Sequence, residues 1–336
     1  MSGSRPVEKE NTSPRQYTRR EVLLRAGAAG AVAVGAVGLG TALSTQDPRS
    51  KMAERGRIRD HRVERADSAP RMAVVRGQDA ALNVRAAIEA MGGMASFVRK
   101  GEVVVIKPNV GWNRLPEQGA NTTPEVVAEV VRLVRDAGAA RVLVTDVPVN
   151  EAGRCFKRSG ILDAVHAVGG EVVFPDDRAF REVAVGGVTL RAADVLWPLV
   201  EADRVINLPV VKQHGLSGAT LAMKNWYGVI GGHRVRLHQD IHNSIVDLAQ
   251  MVMPTLTVMD ATRVLTANGP SGGSLDDVRY ENAIAVSCDE VALDAWGAGV
   301  LGLDPAQLAF VVEAARRGLG TEDWRSLQPI EKTLGA

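Results

Sequence analysis

Val103-Val104-Val105-Ile106 runs without a polar break into Lys107-Pro108-Asn109. The apolar part has the length of one strand, and it does not alternate apolar with polar residues. A strand of that kind needs both of its faces covered, as in a parallel sheet between two helix layers. Runs of similar character recur at 72–76, 141–146, 171–174, 204–208, 256–260 and 283–287. Between them lie stretches of helical period, at 80–98, 124–137, 243–252, 290–301 and 305–317. Pro124 follows Thr122 and Thr123 as a helix start, and Gly138 closes that helix. The alternation predicts an α/β fold: a mainly parallel sheet flanked by helices in three layers. Residues 183–185 and 188–190, joined through Gly186-Gly187, predict a small hairpin insertion.

The amino end reads differently. Thr18-Arg19-Arg20-Glu21-Val22-Leu23-Leu24 precedes 26–43, a stretch made almost wholly of Gly, Ala, Val and Leu with no charge. Ala42-Leu43-Ser44 then offers the small residues a signal peptidase reads. Residues 1–44 are therefore expected to be a twin-arginine signal peptide, recognised by the twin-arginine translocase. The protein is expected outside the cytoplasmic membrane, periplasmic or extracytoplasmic, or anchored to it if the apolar helix is not cleaved. Residues 45–70 hold Lys51, Arg55, Arg57, Arg59, Arg62 and Arg65 among scattered acids and predict a solvated basic linker. A single α/β domain is expected over 71–330.

The chain of 336 residues has a formal net charge of +1, which gives no global electrostatic case for nucleic acid. Its two cysteines, Cys155 and Cys288, are expected as buried thiols. No Cys-x-x-Cys occurs, so no cysteine-ligated iron–sulfur cluster is expected. No Gly-x-x-x-x-Gly-Lys occurs either, which excludes a nucleotide P-loop.

Several strand runs end in polar residues that a strand does not require. Lys107 and Asn109, Asp146, Lys212 and His214, Asp260 and Asp289 all follow apolar runs. In open α/β sheets ligands bind outside the carboxyl ends of the strands, so these groups are expected along one edge. Asp289, just before a helix, is read as a cap. Lysine is a poor cap, so Lys107 and Lys212 point to a ligand. The densest segment spans 207–243, with Asn207, Lys212, His214, Lys224, Asn225, His233, His238 and His242 among many glycines. Lysines and free backbone amides suit a phosphate or carboxylate. His238 and His242 are four apart and would share one helix face; with His214 they offer three ligands for a divalent metal. The competing use of these histidines is proton transfer. Asn268-Gly269-Pro270-Ser271-Gly272-Gly273 could close over a ligand or simply connect strands. Trp112, Trp226 and Tyr227 could line the same pocket or serve as packing.

The ordered set Lys107-Pro108-Asn109, Ile206-Asn207-Leu208-Pro209, Lys212-x-His214, Met223-Lys224-Asn225 with Gly228, and Asn268-Gly269-Pro270 with Gly272-Gly273 resembles the domain-of-unknown-function family 362. The resemblance runs over about residues 71–320. Many members carry a ferredoxin-like cysteine cluster at the carboxyl end; this sequence lacks it and looks like the exported, cluster-free branch. The resemblance supplies no substrate.

Together these readings predict an exported enzyme that binds a small anionic ligand at the carboxyl edge of the sheet. His214, Lys212, Lys224 and His238 are the candidate catalytic residues. Lys107, Asn109, Asn207, Asn225, Asp260 and Asn268 are the candidate ligand-binding residues. A binding protein without catalysis, or a metal-dependent redox or hydrolytic enzyme using His214, His238 and His242, are the alternatives.

Overall fold

In each apolar run, successive side chains go to opposite faces of the sheet and both sets are buried. Val104 and Ile106 enter one core and Val105 the other; Val142 and Val144 are divided from Leu143 in the same way, and Val286 from Ala285. This is the period of two that a strand imposes. Burying a Val or Ile side chain contributes about 1.5–3 kcal/mol. Fixing its backbone costs about 1–2 kcal/mol. With one face bare, only alternate residues would contribute, and the average would not exceed that cost. The strands are therefore stable as a sheet covered on both sides.

The computed structural model describes residues 56–176, 178–232 and 234–335. The expected signal peptide, the first part of the expected linker and His233 lie outside the described residues. The strands are β1 Met72–Arg76, β2 Val103–Pro108, β3 Arg141–Val144, β4 Glu171–Val172, β5 Phe180–Ala184, β6 Ala192–Leu196, β7 Arg204–Leu208, β8 Val210–His214, β9 Gly218–Thr220, β10 Leu256–Leu265, β11 Val278–Ser287 and β12 Ile330–Thr333. The helices are α1 Ala80–Ala90, α2 Pro124–Asp136, α3 Ala152–Arg158, α4 Ile161–Ala167, α5 Trp197–Glu201, α6 Ala222–Asn225, α7 Ile241–Val252, α8 Glu290–Val300 and α9 Ala309–Arg316.

The main sheet has the order β12-β1-β11-β10-β7-β2-β3-β4, with β8 beside β10 and β9 beside β8. The pairs from β4 through β10 are all parallel, and β8 runs parallel to β10. Only β11 and β9 oppose the rest among the described residues. One core lies under α1, α2, α3 and α4; the other lies under α6, α7, α8, α9 and the β5–β6 hairpin. The fold is thus the expected mainly parallel sheet in three layers. No helix among the described residues is long and apolar enough to cross a membrane.

Four local expectations change. The helix expected over 80–98 stops at Ala90, because Gly92 and Gly93 take φ of 100° and 80° and turn the chain. β8, β9 and β12 have no continuous apolar run to reveal them. Packing begins before Arg71: Ile58 and His61 are buried, and the Thr255 hydroxyl donates to the His61 carbonyl at 2.7 Å. The hairpin is wider than expected, with its second strand at Ala192–Leu196. Residues 188–190 form a turn because their amides are already committed. Val188, Thr189 and Leu190 N–H groups donate to the Asp247 carboxylate at 3.0, 2.7 and 2.8 Å. Arg317 closes the other side of Asp247 at 2.6 Å.

Asp247 is fully buried, so removing its carboxylate leaves three amides without their acceptor and takes a partner from Arg317, which keeps Glu313 and Asn243. Asp247→Ala is expected to lower stability in urea denaturation by about 3–5 kcal/mol. A loss under about 1 kcal/mol, the size of an exposed pair, would contradict this account of the hairpin.

Candidate functional site

Because the parallel strands share a direction, residues just past β2, β3 and β7 emerge on one side. Lys107 is the next-to-last residue of β2, Asp146 lies two residues beyond β3, and β8 leaves β7 through Pro209 carrying Lys212 and His214. A short return through β9 leads to α6, which adds Lys224 and Asn225. These groups surround one cavity of about 450 Å³. Asn109 and His238 line it as well.

The deepest cation is already paired. Lys107 Nζ is 2.8 Å from Asp146 Oδ1, and both side chains are buried. It also donates to the Pro108 carbonyl and to Asn225 Oδ1, each at 2.8 Å. Burial lowers the Lys107 pKa, and the Asp146 charge opposes that shift. Asp146 Oδ2 accepts the Val110 N–H at 2.6 Å, which fixes the loop after β2. Gly228 lies against this pair: a Cβ there would come within 1.9 Å of Asp146 Oδ1. Glycine is required at 228 for close approach.

A chain of amides links this pair to the sheet behind it. Glu290 Oε1 accepts Asn207 Nδ2 at 2.6 Å; Asn207 Oδ1 accepts Asn225 Nδ2 at 2.8 Å. Asn225 Oδ1 accepts Asn109 Nδ2 at 2.9 Å, and Asn109 Oδ1 accepts Lys212 Nζ at 3.0 Å. Every amide in the chain has its orientation set by a neighbour, so Lys212 is held in place. Its other partner is the Ala120 carbonyl at 2.5 Å. Burial, then the nearby Lys224 charge, brings the Lys212 pKa down to about 7.

His214 has a defined tautomer. Its Nδ1 accepts the N–H groups of Leu216 and Ser217 at 3.1 and 3.3 Å, so the ring proton sits on Nε2. Burial and the Lys224 and Lys212 charges push its pKa down to about 3, so it stays neutral. His214 is therefore a hydrogen-bond donor to the cavity through Nε2. Arg234 forms another part of the wall, with Nη1 donating to Val147 O at 2.7 Å and Nη2 to Pro148 O at 2.8 Å.

Lys224 is the exception among these cations. It is buried, yet its ammonium makes no hydrogen bond or ion pair within the described residues. Its one partner there is the Tyr227 ring, 4.6 Å from Nζ. A cation–π contact contributes about 0.5–2 kcal/mol. Losing the hydration of a buried ammonium costs several kcal/mol. The Nζ keeps a little contact with the cavity's solvent, and burial, then the nearby Arg234 charge, lowers the Lys224 pKa to about 8. Among the described residues, Lys107, Lys212, Lys224 and Arg234 line the cavity against the single carboxylate of Asp146.

The remaining expected site residues are elsewhere or committed. Asn207 lies behind the cavity, held by Ala222 O and Glu290. Asp260 accepts the Thr123 N–H at 2.7 Å and the Thr262 N–H at 2.9 Å, so it anchors the start of α2. Asn268 is exposed and donates to Asp277, although its neighbours Gly269 and Pro270 do form cavity wall. That loop is pinned by Gly269 N–H donating to Gln213 Oε1 at 2.7 Å and by Arg114 donating to Ser271 O. Asp289 caps α8 through the Ala292 N–H, and Trp226 packs in the core with its Nε1 on Glu290. The three histidines are not brought together as metal ligands. His238 belongs to a 3₁₀ segment and His242 to α7, so they do not share one helix, and the His242 ring stacks on Phe310. No group of three His, Cys, Asp or Glu side chains could hold a metal among the described residues. Arg234 was not marked by the sequence; nothing in its local pattern separates it from Arg236 on the exposed side.

The unfolded chain keeps the Lys212 and Lys224 protons up to about 10.5, while the folded protein releases them near 7 and 8. The unfolded state then binds more protons, so stability rises with pH across that window. For Lys224, acetic anhydride labelling followed by peptide mass spectrometry is expected to titrate with a midpoint near 8. A midpoint at the ordinary lysine value of 10.5 would contradict the environment described for it.

Comparison with known proteins identifies the family to which the chain belongs. The chain is 29% identical over 245 residues to the "thylakoid-associated protein sll1697" of Synechocystis sp., covering 70% of this chain and 74% of that one. Among solved structures it is similar to the lactate racemase apoprotein of Thermoanaerobacterium thermosaccharolyticum, with a TM-score of 0.40 and 13% identity over 71% of this chain. It is also similar to a Thermotoga maritima protein, with a TM-score of 0.34 and 12% identity over 59% of this chain. The chain spans 58% and 54% of those two solved chains. The model of the family described as "Domain of unknown function (DUF362)" matches residues 104–299, which include the cavity-lining lysines, and the chain belongs to that family.

Proposed function

We propose that the protein is an acid–base enzyme that binds a small carboxylate or phosphate in the cavity at the carboxyl edge of the sheet. The observation that carries this reading is Lys224, a largely buried lysine whose ammonium has an aromatic ring beside it and no anion among the described residues. A bound anion would supply the missing partner, and a charge-assisted hydrogen bond is stronger than a neutral one. His214 Nε2–H would donate to a second ligand oxygen. Lys212 favours catalysis over simple capture. A receptor for an anion gains from keeping its lysines charged, whereas Lys212 is held at about 7, where it can accept or return a proton. Its place in the amide chain would keep it aimed at the ligand. Lys107 would act indirectly, by holding Asn225 and Asp146 in position.

The twin arginines, Arg19 and Arg20, support a further part of the proposal: the protein works outside the cytoplasmic membrane after transport by the twin-arginine translocase. Replacing both with lysine should retain the protein inside the cell on fractionation. An unchanged distribution would argue against that route.

The ligand reading is tested by calorimetric titration with inorganic phosphate and with acetate at pH 7. At least one should bind, and Lys224→Gln should weaken it by about 10- to 100-fold, the loss of one charged hydrogen bond. Affinity should also fall as pH rises past about 8, where Lys224 loses its charge. No binding at millimolar anion, or equal binding by the variant, would overturn it.

A further inference from the structure

Above the charged floor, the cavity changes character. Trp112, Val149, Leu216, Val235 and Pro270 line its upper wall. Val149, Leu216 and Val235 are 61%, 65% and 78% exposed, which is unusual for side chains of this type sharing one mouth. Single exposed apolar residues are ordinary on a protein surface. These three come from three separate segments: the loop after β3, the turn between β8 and β9, and the 3₁₀ segment Arg234–Asp240. Their convergence on the rim is what calls for an occupant. The volume points the same way. A phosphate or carboxylate group fills only a small part of 450 Å³. Cavities of about 300–1,000 Å³ take whole organic ligands, bound by apolar walls and oriented by a few polar groups.

We propose that the ligand is an amphiphilic anion, a phosphate or carboxylate head joined to an apolar aliphatic or aromatic body, bound head-down. This rests on the anion reading above and adds the substrate class to it. Lys212 and Lys224 are nearly inaccessible to solvent, Arg234 and His238 are half-buried, and Val149, Leu216 and Val235 are exposed at the mouth. The head therefore reaches Lys224 and the Nε2–H of His214, while the body lies against Leu216, Val235 and Trp112. The charge order also excludes the reverse pose, which would leave the lysines facing hydrocarbon.

The test is calorimetric titration of the folded protein with two series at pH 7: inorganic phosphate against butyl and hexyl phosphate, and acetate against butyrate and hexanoate. In at least one series, affinity should rise about two- to fourfold for each added methylene, the gain from burying it. Leu216→Ser and Val235→Ser, both at exposed positions, should abolish that gain. If the short anions bind and chain length has no effect, the amphiphile proposal falls while the anion site stands. If nothing binds in either series, both fall. Sedimentation with anionic phosphatidylglycerol vesicles separates a free ligand from a membrane headgroup. Binding to vesicles without binding to hexyl phosphate or hexanoate would overturn the proposal of a free amphiphile.

Discussion

A parallel sheet buried on both faces holds charge only where it is paired or hydrogen-bonded, and that constraint organises the rest of the molecule. The strand runs supply apolar side chains to two cores at once, so the polar residues that follow them are forced to the carboxyl edge. Because β2, β3 and β7 are neighbours in the sheet, Lys107, Asp146, Lys212 and His214 arrive together although they are far apart in sequence. Charges brought into so dry a place must be paired, hydrogen-bonded or partly neutralised. The site uses all three solutions. Lys107 is paired with Asp146, Lys212 is hydrogen-bonded and moved toward neutrality, and His214 is held neutral. Lys224 has none of them in full.

Much of this is legible in the amino-acid sequence. The apolar runs identified the strands, and the lysines after them identified the edge, because a lysine at a strand end has no capping role to explain it. What the sequence could not distinguish was a polar group that awaits a ligand from one that already has a partner. Asn207 and Asp260 have the residue type and position of ligand contacts, yet Glu290 and the Thr123 and Thr262 amides occupy them. Glu290 and Thr123 lie 83 and 137 residues from the groups they hold, and no local pattern announces them. The histidine pair failed for a related reason. A spacing of four means a shared face only if the helix is continuous, and the chain changes from 3₁₀ to α-helix between His238 and His242.

The elements missed altogether share one property. β8 contains Lys212, Gln213 and His214, and so does not read as an apolar run, although its pairing with β9 and β10 makes it part of the sheet. Its departure from the pattern is what carries charged side chains into the cavity. The local rule is broken where the protein places its chemistry, and the amide chain from Glu290 to Lys212 supports the break from behind.

The central claim is that Lys224 awaits an anion. It is tested most directly by a crystal structure of the protein soaked in selenate, whose selenium can be located by anomalous scattering. The account predicts an anomalous peak in the cavity within hydrogen-bonding distance of Lys224 Nζ. An empty cavity, in crystals where selenate occupies surface arginines instead, would contradict it.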